Sequence, residues 1–227
     1  MLVCLLRSCN QMRLSRDAKL FIVFIAVYLC LAWGLTHVYL LTHVREVSVG
    51  WDAWHERIRA GTIGDSNQFR LLSFWMAEGI GRAFVQPPFA AYLMLRFFCT
   101  FITFSLFHLF LLKWFRHQTA LLSVLLLAAF TPLTYLPFLQ EADVVLLPLF
   151  LVGLWLIREH WLLPFAVLLA VATFAKETAI FLIPFYLLYR WDRTRWLRTV
   201  LETVGLLAVW AAAFYVTRNV FYHGHNS

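Results

Sequence analysis

The chain has 227 residues, of which 62% are hydrophobic and 14% are charged, and its formal net charge is +7. A soluble globule of this length could bury only part of so much apolar surface, whereas a bilayer accommodates the excess. The composition therefore indicates an integral membrane protein. The basic residues lie at the ends of apolar segments rather than in one patch, which is typical of membrane topology and argues against a nucleic-acid-binding protein.

Apolar segments follow one another along most of the chain, and each is a candidate membrane span. The first, residues 20–41, follows a basic tail, residues 1–19, that we expect to remain cytoplasmic. Six further spans are predicted, at residues 88–112, 120–136, 144–157, 161–175, 179–188 and 200–216. The fifth and sixth are short for a full crossing, so they could instead form a broken hairpin within the membrane.

The charges between these segments give one consistent orientation, because basic connections favour the cytoplasmic side. With the N-terminus inside, the basic connections all lie in the cytoplasm; they contain Lys113, Arg116, Arg158 and residues 190–198. The same orientation puts the remaining polar groups outside, namely Asp52, Glu141, Asp143, Lys176 and Glu177. We therefore expect an all-α, multi-pass protein with about seven transmembrane helices. Its transmembrane domain would cover residues 20–221, with a short outer tail at 222–227.

The longest polar interruption, residues 42–87, is the predicted first outer loop. Within it, Trp51–Ile58 repeats apolar residues with a helical period, so we expect a short interfacial helix there. A break near Gly61 follows, and Phe69–Met76 resumes the apolar pattern as a second interfacial helix. Pro87 and its following proline then end the loop before the second span.

Several outer residues also have a purely structural explanation. Asp52 could cap a helix that begins at Ala53, where free N–H groups need acceptors. Glu141 and Asp143 could favour the dipole at the start of the fourth span. The Lys176–Glu177 pair could combine a snorkelling base with a helix cap.

The remaining polar residues have similar alternatives. Arg96, inside the second span near its outer end, could snorkel or meet an acid. Arg70 could bind only lipid phosphate, and His55 is expected at the surface. His37 and His108 lie within spans and are predicted to form hydrogen bonds between helices.

The order of these features resembles the GT-C class of membrane glycosyltransferases, which has a large first outer loop opening with an aspartate. Here Gly50–Trp54 contains Asp52 and is followed by Gly61 and by Gln68–Leu72, a pattern similar to that loop. The segment Lys176–Thr178, with Pro184 after it, resembles a later segment of prokaryotic members. The chain is shorter than most members and corresponds to their N-terminal module.

The resemblance implies transfer of a sugar from a polyprenyl-phosphate-linked donor to an acceptor on the outer face, in a bacterial inner membrane. The catalytic base would be Asp52. Basic residues would neutralise the phosphate leaving group, and the candidates are Arg70, Lys176 and Arg96. Acids that position sugar hydroxyls or orient these bases would be Glu141, Asp143 and Glu177. No cofactor is implied and no metal ligand is assigned, although the acids leave a divalent metal open.

Two other classes of function remain open from the sequence. The chain could be a non-catalytic scaffold or a subunit of a larger membrane complex, in which case substitution of Asp52 leaves its function intact. It could also transport a lipid or a sugar along intramembrane charges, but the sequence has no internal repeat and its charges gather at helix ends. The expected partners are membrane lipids, the lipid-linked donor and other membrane subunits, without nucleic acid.

Overall fold

The computed structural model describes residues 2–60, 70–84, 87–135, 141–191 and 196–219. For residues 2–19, 43–49, 51, 134 and 135 it describes the backbone alone. Within these ranges the chain is helical and contains no strand. The elements are α1 (Leu2–Arg59), α2 (Leu71–Phe84), α3 (Pro88–Leu111), α4 (His117–Tyr135), α5 (Glu141–Arg158), α6 (Leu162–Ala175), a 3-10 helix (Glu177–Phe181), α7 (Leu182–Arg190) and α8 (Trp196–Asn219).

Three helical segments are long and apolar enough to cross a membrane, namely Leu20–Thr42 within α1, α3 and α8. They coincide with the first, second and seventh predicted spans. The helices α4 and α6 contribute shorter apolar stretches, His117–Leu133 and Leu162–Ala175. The all-α class is therefore confirmed, and these helices are those of a membrane protein. The count of seven spans stays a prediction.

Helix α1 corrects the expected organisation of the first loop. It continues without interruption for 58 residues, about 87 Å at 1.5 Å per residue. The predicted interfacial helix at Trp51–Ile58 is therefore the C-terminal part of α1. The proposed cap by Asp52 at Ala53 is wrong, because the backbone there is already helical. Residues 42–49 contain neither glycine nor proline, so nothing in that stretch ends the helix.

The second predicted interfacial segment is helical and longer than expected. Helix α2 begins at Leu71 and continues to Phe84, through Gly79. The predicted break near Gly61 lies outside the described residues. Helix α3 starts at Pro88, and the extended backbone of Pro87 precedes it. Proline is well suited to the first helical position, where its missing N–H costs nothing.

Helix α3 lies at the centre of the bundle and packs against α1, α2, α4 and α5, while α6 packs against α5 and α8. Alanines allow several of these close approaches, and Ala91, Ala172 and Ala175 are fully buried. Gly153 of α5 marks the tightest approach, because a Cβ there would lie 2.9 Å from Leu182 Cδ1. Helix α5 therefore joins the helices around α3 to those that follow it, α6 and α7.

The helix is interrupted at the position where the sequence predicted a broken hairpin. Helix α6 ends at Ala175, and Lys176 has extended backbone angles of φ −163° and ψ 139°. The 3-10 helix and α7 follow directly. With 14 residues in α6 and nine in α7, each helix is shorter than a hydrocarbon core requires.

Candidate functional site

Five segments bring charged residues together at one end of the bundle, which we call the polar end. It consists of residues 52–59 of α1, 70–82 around α2, the start of α3 to Arg96, the start of α5 and the junction between α6 and the 3-10 helix. Contacts between side chains of different segments define it, and three of them are ion pairs between residues that were all candidates from the sequence. The sequence predicted that these residues share one side of the membrane; the structure brings most of them into contact.

The most buried of the three ion pairs joins α3 to the start of α5. Arg96 Nη2 lies 2.5 Å from Glu141 Oε1, and the two side chains are 4% and 2% exposed. The Arg96 guanidinium also lies 3.5 Å from the centre of the Tyr39 ring on α1. A buried charge requires such partners because its desolvation is costly. This pair therefore ties three helices together.

The second pair uses the break after α6. Lys176 Nζ lies 2.5 Å from Asp143 Oδ1, and these side chains are 14% and 35% exposed. The extended backbone at Lys176 ends the helix and directs the chain past the start of α5. Asp143 lies in the first turn of α5, where an acid is favoured by the helix dipole. Asp143 therefore both favours the dipole of α5 and forms the ion pair with Lys176.

The third pair joins the start of α2 to the 3-10 helix. Arg70 Nη2 lies 3.5 Å from Glu177 Oε1, and the two side chains are 9% and 34% exposed. The backbone carbonyl of Glu177 also accepts a hydrogen bond of 3.2 Å from Trp210 Nε1 on α8. Glu177 thereby connects α8 to the segment that enters α2.

The three pairs follow one rule: each base predicted to bind phosphate contacts one of the acids predicted to support it. Of the two roles considered for these acids, the geometry agrees with orienting the bases. The pairs also neutralise the charges of Arg70, Lys176 and Arg96. Whether any of these residues binds a substrate stays a prediction.

Asp52 lies apart from these pairs. Its side chain is exposed, and Oδ1 accepts a long hydrogen bond of 3.4 Å from the backbone N–H of Phe89. This N–H belongs to the first turn of α3, where backbone donors lack helical partners. Asp52 therefore caps a helix, but the helix is α3. It forms no ion pair with the other residues that the structure describes.

His55 is the residue that sequence reasoning placed wrongly. It was expected at the surface, but it is 3% exposed. Its ring stacks on Phe74 with 4.6 Å between ring centres. Nδ1 lies 3.3 Å from the Tyr92 hydroxyl, and Nε2 lies 3.4 Å from Glu78 Oε1. The available signal was its spacing, because His55 lies three residues before the buried Ile58 and shares its helix face.

Glu78 collects three donors at this position. Besides His55, Arg59 Nη2 lies 2.6 Å from Oε1 and Arg82 Nη2 lies 2.8 Å from Oε2. Burial raises the pKa of Glu78, but the hydrogen bond from His55 and the charges of Arg59 and Arg82 outweigh burial and hold the pKa below its ordinary value. The carboxylate is therefore ionised at neutral pH and joins α1 to α2.

A polar cavity of about 430 Å³ opens beside this cluster. Its lining includes His55, Glu78 and both arginines, and Pro88 at the start of α3 closes one side. The volume lies in the range of small-molecule sites. Neither His55 nor these arginines were candidates from the sequence.

An apolar groove of about 300 Å³ lies between α1 and α3. Its walls come from the two candidate spans and are formed by Trp33, Thr36, His37, Leu40, Leu93, Met94, Phe97 and Phe98. The predicted interhelical hydrogen bond of His37 is absent among the described residues. That of His108 is confirmed, because its Nδ1 lies 2.5 Å from the Tyr28 hydroxyl on α1.

The opposite end of the bundle, which we call the basic end, contains Lys113, Arg116, Arg158, Arg190 and Arg198. Lys113 Nζ lies 5.2 Å from the centre of the Trp155 ring. The Arg158 guanidinium lies 4.8 Å from the centre of the Trp114 ring. Such contacts suit cations at a membrane interface.

Comparison with known proteins gives no match: no family model, curated protein or solved structure is similar to this chain. Among the described residues, no group of three or more His, Cys, Asp or Glu side chains could hold a metal ion. The choice of function therefore depends on the residues and their geometry.

Proposed function

We propose that this protein is a GT-C-like membrane glycosyltransferase that transfers a sugar from a polyprenyl-phosphate donor to an acceptor on the outer face. In this proposal the chain crosses the membrane about seven times with its N-terminus in the cytoplasm. The polar end then faces outward and the basic end faces the cytoplasm. The clustering of Lys113, Arg116, Arg158, Arg190 and Arg198 at one end supports this orientation.

The observation that carries the proposal is the position of Asp52 relative to the apolar groove. The groove is formed by α1 and α3, and the same two helices are joined by the contact of Asp52 with Phe89. Leu93, a groove residue, lies one helical turn after Phe89, about 6 Å along the axis. A prenyl segment in the groove would therefore bring its phosphate head towards an exposed carboxylate.

The proposed chemistry is a direct displacement. Asp52 takes the proton from the acceptor hydroxyl while the hydroxyl oxygen bonds to the anomeric carbon. The bond between this carbon and the phosphate oxygen breaks, and its electron pair leaves with the prenyl phosphate. Attack from the opposite face inverts the anomeric configuration.

The three paired bases take different parts in this proposal. The acid partners of Lys176 and Arg70 are 35% and 34% exposed, so a phosphate that displaces these acids can compete for the two bases, whose own side chains are 14% and 9% exposed. Arg96 and its partner Glu141 are almost fully buried. We therefore assign Arg96 a positioning role, in which it fixes the starts of α3 and α5.

A non-catalytic scaffold is the second candidate, and one observation favours it. Each of the bases Arg70, Lys176 and Arg96 is already paired with an acid. The charges of these bases are therefore neutralised without a ligand. A scaffold would use these pairs only to hold its helices. The two candidates differ in whether Asp52 is needed.

Sugar transfer by the purified protein in nanodiscs tests the proposal, with prenyl-phosphate sugars as donors and Asp52→Asn beside the wild type. We expect the variant to lose at least about a hundredfold in turnover, because it lacks the base. Since the amide oxygen of asparagine can still accept from the Phe89 N–H, the cap on α3 is kept. Glu159→Gln is the control, because it removes an exposed carboxylate at the basic end of the bundle.

Equal turnover by wild type and Asp52→Asn would remove Asp52 from the chemistry. Absence of turnover in both, across several donors and acceptors and with intact helicity, would favour the scaffold. The proposal expects a loss in Asp52→Asn alone, with Glu159→Gln active.

A further inference from the structure

The polar cavity beside His55 has the features of an anion site. Arg59 and Arg82 stand at its opening, with side chains 53% and 78% exposed. The carboxylate between them, Glu78, is only 13% exposed. A ligand that enters from water therefore meets the two guanidinium groups, together with the exposed Glu56 on the same lining, before it meets Glu78.

Both arginines keep donors for a ligand. Within the described residues, Glu78 engages Nη2 of each arginine, and Glu56 engages Nη1 of Arg59 at 3.2 Å. The Nε group of Arg59 and the Nε and Nη1 groups of Arg82 are not used by these contacts. Because both guanidinium groups touch one carboxylate, they are held close enough together to bind a single anion.

Contacts with Glu78 hold Arg59 and Arg82 in place before any ligand binds. A flexible arginine loses rotamer freedom when it binds, and that loss weakens binding. Here the contacts with Glu78 already restrict Arg59 and Arg82. His55 holds Glu78 in turn, and its ring is fixed by Phe74 and Tyr92.

We propose that the cavity between α1 and α2 binds a phosphate group through Arg59 and Arg82, with His55 and Glu78 as positioning residues. Planar guanidinium groups match phosphate oxygens in two-point contacts, which favours phosphate over an uncharged sugar. The cavity volume leaves room for a small group attached to the phosphate. The phosphate is either the head of a lipid or part of a soluble sugar phosphate.

The position of the cavity connects it to the proposed reaction. Pro88 lines it, and the next residue, Phe89, holds Asp52. A phosphate here would lie near the proposed base without displacing any of the three ion pairs. This link to the donor rests on the proposed function, whereas phosphate binding itself does not.

Calorimetric titration of the full chain in dodecyl maltoside tests the proposal with two probes, farnesyl phosphate and glucose 1-phosphate. We expect Arg59→Gln/Arg82→Gln to weaken phosphate binding by roughly tenfold or more, since hydrogen bonds to charged groups are lost. Arg57→Gln should bind like the wild type, because Arg57 is exposed on the same helix and does not line the cavity. Farnesol controls for binding of the apolar chain alone.

Protection from chemical modification gives a test on the wild type that no folding defect can affect. Phenylglyoxal modifies exposed arginines, and mass spectrometry locates the adducts. A bound phosphate should protect Arg59 and Arg82 by severalfold while Arg57 keeps reacting.

The outcomes separate the ligand sources and the two proposals. Tighter binding of farnesyl phosphate assigns a lipid head, and tighter binding of glucose 1-phosphate assigns a soluble sugar phosphate. Binding that persists in a protein without transferase activity supports the cavity and contradicts only the proposed function. The inference would be overturned by no binding to the wild type, by unchanged binding to the double variant, or by equal protection of Arg57. The cluster would then be only a structural contact that joins α1 to α2.

Discussion

The two ends of the bundle treat charge in different ways. At the polar end, three bases each meet one acid across segments that are distant in sequence, and Glu78 meets two arginines. At the basic end, acids are fewer: Glu202 accepts from Arg198 at 2.8 Å and from Tyr186 at 2.6 Å. Arg158 also has a long contact of 3.8 Å with Glu159, and both Lys113 and Arg158 lie against tryptophan rings.

This difference shows where each end can be placed. A set of balanced pairs can be withdrawn from water, because no net charge is buried with it. An excess of cations is kept near water and headgroups, and it favours the cytoplasmic side. The polar end is therefore suited to a site inside the protein, and the basic end is suited to fixing orientation.

The largest expected effect is an all-or-none difference in labelling between the two ends. Single cysteines at Glu56 and Arg116, in a chain whose native cysteines are replaced by serine or alanine, would be exposed to a membrane-impermeant maleimide in intact cells. Both positions are exposed, so only their side of the membrane decides the reaction. We expect Glu56→Cys to react and Arg116→Cys to react only after permeabilisation. Reaction of both in intact cells would contradict opposite orientation of the ends.

The next largest effect is on stability, at the buried pair of the polar end. Arg96→Met or Glu141→Leu alone should lower the free energy of unfolding by about 3–5 kcal/mol, because each removes the ion-pair partner of a buried charge. The double variant should recover most of this loss, since no charge then remains to be desolvated. Unfolding in a denaturant titration of the detergent-solubilised protein measures all three variants.

The partly exposed pair provides the comparison for this result. Asp143→Asn should cost about 1 kcal/mol or less, because the Asp143 side chain is 35% exposed and water screens its pair with Lys176. A loss as large as that of Glu141→Leu would mean that the whole polar end is shielded from solvent. An equal loss in the single and double variants of Arg96 and Glu141 would mean that packing rather than charge dominates there.

Much of the fold could be predicted from the sequence, because helix formation and apolar length are local properties. The second span was predicted at 88–112 and α3 is Pro88–Leu111. The first loop was the exception. Its polar residues suggested a separate interfacial helix, but side-chain polarity does not end a helix, and α1 continues through Asp52.

The sequence predicted which residues form the three ion pairs, but not which of them contact one another. The residues of all three ion pairs were candidates from the sequence, since charges are rare in apolar helices and all lie near one end. Their pairing was not predictable, because it depends on how α5, α6 and α2 pack. His55 was missed for the same reason: its burial comes from Phe74 and Tyr92, which lie on other helices.

The smallest expected effect concerns pH and the Glu78 cluster. Because the pKa of Glu78 is lower in the folded protein than its ordinary value, its carboxylate contributes stability above that value and loses this contribution as pH falls through the folded pKa. Glu78→Gln should therefore destabilise the protein at pH 7 by on the order of 1 kcal/mol. Unfolding measured between pH 7 and pH 3 should show the difference between wild type and variant shrinking as the pH falls.

Glu56→Gln is the matched control, since Glu56 is 61% exposed and contacts only Arg59 among the described residues. Its effect should be close to zero at every pH. A difference for Glu78→Gln that stays constant down to pH 3 would show that the glutamate acts by packing rather than by charge. In that case the charge of Glu78 would not hold the two arginines together, and they would not form a prepared phosphate site.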